Sequence, residues 1–187
     1  MFNAAHRADV PPGRTLGCQT PGMDVYASLL ADERDQLLAR LDAHHHGLRS
    51  SLDGLTQDEA RRRLVPSATT LVGLIAHVTY AETVWAQEAV GGVPRAHLGL
   101  TGSAAEAFAL DSTQSIDTVL AAHQRAVTAS HEVLDSRDLD EVVTGHALGP
   151  MTVRWVFLHL ISEMAQHHGH ADILREQILA GRSHPQA

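Results

Sequence analysis

Apolar residues recur at three- and four-residue spacing over most of this chain, the pattern of helices that bury one face. From Asp24, the residues Tyr26, Leu29, Leu30, Leu37, Leu41 and Leu48 form one stripe, with Glu33 and His44 on it. The stretch "TQDE", Thr56 to Glu59, has the form of a capping box. It predicts a short helix that stops before Pro66, because the residue preceding a proline is pushed out of the helical region. Ser67 or Thr69 then opens "TTLVGLIAHVTYAETVWAQEAV", which runs to Gly91-Gly92 and is apolar nearly all round, as a buried helix is. Val93 to Asp111 contains Pro94 and several glycines and has no strong period. From about Ser112, Ile116, Val119, Leu120, Val127 and Leu134 define a third amphipathic helix. A further loop, "SRDLDEVVTGHALGP", leads into a last helix from about Thr152 to Ala180, closed by Gly181. No segment reads as a β-hairpin, an internal repeat or a low-complexity tract. The expected fold is all-α: a four-helix bundle with a short extra helix.

Residues 1–23 hold three prolines and three glycines without periodicity and read as a mobile tail, leaving 24–181 for the bundle and 182–187 as a C-terminal tail. A length of 187 residues with 44% apolar content suits one domain with a sizeable core. The net charge of −8 argues against a nucleic-acid partner, which draws on a basic face. The one basic run, Arg61 to Arg63, reads as a solvated helix face. No apolar run approaches the ~18 residues of a membrane span, and the N-terminus lacks the apolar core of a secretory signal. The single cysteine, Cys18, has no internal partner and lies in the Pro/Gly-rich tail, where a catalytic thiol would be poorly held. A cytoplasmic protein is expected. All 14 basic residues are arginine, which removes mechanisms that need a Schiff-base or phosphate-loop lysine. With abundant Ala, Leu and Val, that usage also points to a GC-rich bacterial genome.

The last helix carries an unusual density of ionisable groups. At about 100° per residue, His159, Glu163, His167 and His170 fall on one narrow stripe together with Val156 and Leu174. His168 and Asp172 point to the opposite side. An inward stripe of imidazoles and a carboxylate is costly to bury unless something satisfies it. These are ligand types that a divalent transition metal takes, and Glu163 and His167, four residues apart, can reach one ion. His170 is either a further ligand or a partner of one. The alternative is a set of hydrogen-bonded core residues with no ion. A ligand from elsewhere is needed, and His77, alone in the apolar second helix, is the best candidate. His123 and His44 lie on apolar stripes and read as core or pocket-lining histidines. The triplet His44-His45-His46 spreads over three faces and reads as mostly solvated.

"PSATTLVGLIAHVTYAETVW" resembles the second helix of the DinB-like superfamily, and "GPMTVRWVFLHLISEMAQHHGHADILRE" resembles its last helix. The nearest branch in pattern is that of actinobacterial mini-circle proteins and the N-terminal domain of mycothiol-dependent maleylpyruvate isomerase. The likeness runs from about Asp24 to Gly181. It implies a four-helix bundle holding a divalent metal near one end, zinc or nickel. The branch's ligands are a His on helix two and a Glu and His on helix four, which correspond here to His77, Glu163 and His167. His170 corresponds to the His of the branch's "GHADILRE" motif. The isomerase has a second domain that helps bind its substrate, and this sequence does not contain one, so maleylpyruvate isomerisation is not expected.

Three protein ligands leave a coordination position for water or substrate. The resemblance favours a metal-dependent S-transferase acting on mycothiol or a similar low-molecular-weight thiol and an electrophile, with His170 orienting a ligand or shuttling a proton. Tyr80, Trp85, His123 and Arg154 are expected near the pocket. The other readings are a hydrolase using metal-bound hydroxide and a non-catalytic stress protein that binds a metal or small ligand. The bundle surface has room for a second copy in a homodimer.

Overall fold

In the computed structural model of the protein, residues 25–100 and 102–183 are described. The mobile tail expected over 1–23, with Cys18, lies outside them, as do residues 184–187. The described chain is all-α apart from one short β-ladder.

Helix α1 spans Glu33–Ser50 and starts well after Asp24. Asp32 sets the boundary, since its carboxylate accepts from the Asp35 N–H at 3.0 Å. Tyr26, Leu29 and Leu30 precede it in a run of turns and are exposed, so the apolar spacing there does not continue the core stripe. Helix α2, Gln57–Ala60, carries the expected capping box between Thr56 and Glu59. Helix α3, Leu71–Glu82, is capped by Thr70, whose hydroxyl accepts from Gly73 N–H. It continues as π-helical turns over Thr83–Val90, where Gly91 N–H bonds Ala86 carbonyl, five residues back. Gly92, at φ 67°, then takes the left-handed conformation that ends the helix.

Helix α4 spans Ile116–Asp135 behind a Ser115–Thr118 capping box. Strands β1, Val142–Val143, and β2, Met151–Thr152, pair antiparallel and lead into α5, Val153–Ser183. This hairpin corrects the expectation of none. Two residues per strand are too few for a period-two signal to rise above chance.

Helix α5, roughly 46 Å long at 1.5 Å per residue, packs on both α1 and α3, while α4 packs on α3 and its π-helical extension. Its core face presents Val153, Val156, Phe157, Leu160, Met164, Ala171, Leu174 and Ile178. These meet Leu41 and Leu48 of α1 and Leu71, Leu74 and Ile75 of α3 in a single apolar cluster. No helix of the described residues is long and apolar enough to cross a membrane.

Candidate metal centre

Burial of Leu74, Ile75 and Val78 fixes the rotation of α3 and leaves His77, 7% exposed, aimed at α5. On α5, Leu160 and Met164 are anchored in the core. Glu163 and His167, one turn apart, therefore flank the seam with α3. The three side chains meet. His77 Nε2 lies 3.2 Å from Glu163 Oε1 and 3.1 Å from His167 Nε2, and His167 Nε2 lies 3.1 Å from the same Glu163 oxygen.

A triangle of that size suits a shared cation. A tetrahedral ion with bonds of about 2.1 Å holds its ligands roughly 3.4 Å apart. The tautomer of His77 fits as well. Its Nδ1–H donates to the Ala104 carbonyl at 2.8 Å, which leaves the Nε2 lone pair facing the other two donors. His167 Nδ1 is buried with no hydrogen-bond partner, so no protein group fixes which of its nitrogens carries the proton. The imidazoles of His167 and then His77 beside it hold the Glu163 carboxyl well below the ordinary carboxylate range, against the effect of burial. Ionised, it is a ligand ready for a cation. Its side chain remains 25% exposed, so the site opens on Glu163's side.

The segment between α3 and α4 closes the other side. Phe108 stacks on the His77 ring at 4.1 Å between centroids, nearly parallel at 14°, and stands 6.1 Å from the His167 ring. This approach depends on Gly73, where a Cβ would lie 2.5 Å from the Phe108 carbonyl oxygen. Ala104 and Phe108 were not among the expected site residues. The only signal for them was an apolar stretch, "AAEAFAL", inside an otherwise aperiodic loop.

A family model described as Mycothiol-S-transferase matches residues 36–180. The chain belongs to that family. The assignment accords with the DinB-like resemblance and the all-α fold. No curated protein matches it.

In this mycothiol-S-transferase family member, the remaining expected site residues scatter. His170 is exposed, 5.6 Å from the His167 ring between centroids and outside the three-donor set. It stays within about 20° of Glu163 around the helix but stands nearly two turns, roughly 10 Å, further along α5, past the seam where the three donors meet. Tyr80 accepts from Arg95 at 2.7 Å, donates to the Gly102 carbonyl at 3.1 Å, and lines a cavity of about 680 Å³ between α3, α4 and residues 99–110. None of the three metal-ligand candidates lines that cavity. Trp85 packs against His159 at 4.2 Å and His146 at 4.5 Å, one turn of α5 before Glu163. His123 is fully buried in the bundle, within 3.2 Å of the Thr79 hydroxyl. Arg154 lies at another place in the fold. It pairs with Glu33 and Asp140 where α1 meets the hairpin, nine residues along α5 from Glu163.

The histidine triplet also departs from expectation. His44 Nδ1 lies 3.3 Å from His168 Nδ1 across the α1–α5 seam, and His45 is 3% exposed beside Glu82. Only His46 is exposed.

Proposed function

We propose that the protein is a metal-dependent S-transferase, in which a divalent cation, zinc or nickel, is held by His77, Glu163 and His167. The observation that carries this is the meeting of three donors from α3 and α5 on one open side, in a chain of the mycothiol-S-transferase family. When bound, the cation supplies Lewis acidity, under which a coordinating thiol is deprotonated outright.

The chain's own residues do the rest. Ala104 fixes the His77 tautomer, and Phe108 keeps water from the face of the ring that it covers. In this reading His170 takes the thiol proton and passes it to solvent, which its exposure beside His167 supports. The reaction is a displacement. A sulfur–carbon bond forms, the bond from carbon to the leaving group breaks, and the leaving group departs with that electron pair. Mycothiol is the proposed thiol, on the family's name.

The test is conjugation of mycothiol to monobromobimane and a panel of other electrophiles by metal-replete protein. Adduct formation above the uncatalysed rate, lost on metal removal and in His167→Ala, is the expected result. A metal-replete protein that accelerates none of these reactions would overturn the reading. His170→Gln is expected to lower kcat by roughly 10²-fold, the scale of a general-base contribution, while metal content stays unchanged.

A further inference from the structure

A second group of donors lies in the bundle, away from the three above. Asp42 and His45, three residues apart, share one face of α1, and His131 reaches them from α4. His131 Nε2 stands 2.9 Å from Asp42 Oδ1, and His45 Nδ1 stands 3.9 Å from the same oxygen. The three donor atoms lie within 4.8 Å of one another.

Two of these atoms are buried and have no hydrogen-bond partner. One is His45 Nδ1, on a side chain 4% exposed. The other is His131 Nε2, which is close to Asp42 but out of line for an N–H donor. The opposite nitrogen of His45 is committed. Its Nε2–H donates to Glu82 Oε2 at 3.2 Å, and Glu82, at the end of α3, is fully buried. That hydrogen bond leaves the Nδ1 lone pair facing Asp42 and His131. A carboxylate behind an imidazole whose other nitrogen faces a group of donors is the outer support found at histidine-ligated metals.

We propose that Asp42, His45 and His131 form a second divalent-cation site, braced by Glu82 and joining α1 to α4. Two imidazoles and one carboxylate suit a transition metal and not calcium or magnesium, which prefer oxygen donors.

Charge points the same way. Two carboxylates, one of them fully buried, surround a single buried imidazole. Glu82 Oε2 stands 3.2 Å from its Nε2 and Asp42 Oδ1 stands 3.9 Å from its Nδ1. The position demands positive charge. A proton on Nδ1 meets that demand poorly, since Asp42 is beyond hydrogen-bond reach at 3.9 Å. A cation among the three donors, with bonds of about 2.1 Å, satisfies both orphaned nitrogens at once. Asp42 and His131 keep side chains 25% and 31% exposed, which gives an ion a route in.

The site is independent of the S-transferase reading, and its test reads metal and not turnover. Full-length protein is stripped with chelator, titrated with cobalt(II) or zinc, and its bound metal counted after desalting. Close to two equivalents are expected in the wild type, and one each in His131→Gln and His167→Ala. The double variant is expected to hold almost none. Asp42→Asn, also partly exposed, replaces His131→Gln should the latter lose helical circular dichroism. The proposal is overturned if His131→Gln or Asp42→Asn binds as many equivalents as the wild type. It is equally overturned if a folded His167→Ala protein binds none.

Discussion

Glu82 is the side chain whose loss is expected to cost the most. It is fully buried at the end of α3, and one of its oxygens has no hydrogen-bond partner while the other holds His45. Removing one member of a buried ion pair strands the other, a cost of about 3 kcal/mol. Urea denaturation of metal-stripped Glu82→Gln is therefore expected to give a stability lower by about that amount with an unchanged slope. An unaltered midpoint would mean that His45 and Glu82 do not act as a pair. Little of this was legible in the sequence. A histidine triplet on an amphipathic helix has the look of a solvated run, and only packing against α3 and α4 decides that the middle one is interior. His77, Glu163 and His167 were legible because an isolated imidazole in an apolar helix, and a Glu and His one turn apart, are conspicuous by themselves. Phe108 was not, because its role comes from a loop that folds back over α3.

That loop makes a prediction for an element. Ala is the better helix former, by about 1 kcal/mol over Gly, yet a Cβ at Gly73 would sit 2.5 Å from the Phe108 carbonyl oxygen. Backbone must move to admit it, so Gly73→Ala is expected to destabilise the protein by about 1–3 kcal/mol in spite of propensity. It is also expected to weaken metal binding by pulling Phe108 and Ala104 from His77. Calorimetric melting and a zinc titration on the same variant read the two effects. The end of α5 makes another. Arg182 bonds Glu59 through Nε at 2.6 Å, and Glu59 also closes the cap of α2. Arg182 first, then Thr56, lower the Glu59 pKa from 4.5 to about 2. A depressed carboxylate contributes its full stability above the unfolded pKa and loses it as pH falls through the folded one. The midpoint difference between wild type and Glu59→Gln is thus expected to be constant above about pH 5 and to vanish towards pH 2. A difference that grows on acidification would contradict the pairing.

For the molecule as a whole, the two donor clusters tie the helices into pairs: α3 to α5 through the first, α1 to α4 with α3 through the second. An ion that binds only the folded state stabilises it by mass action, by about 2.7 kcal/mol at a hundredfold excess over Kd. Thermal midpoints are expected to fall on chelation and to rise again with added zinc. The architecture was largely legible from periodicity, since four long apolar stripes with connections of mixed length specify a bundle. The late start of α1, the π-helical end of α3 and the two-residue strands were not, because each depends on a few local hydrogen bonds and not on a repeating pattern. The most direct test of the central claim is isothermal titration of zinc into stripped His131→Gln protein and into the same protein carrying His77→Ala, Glu163→Ala or His167→Ala. One equivalent is predicted for the parent, with affinity falling steeply in each of the three. Unchanged zinc binding in any folded member of that set would contradict the shared centre.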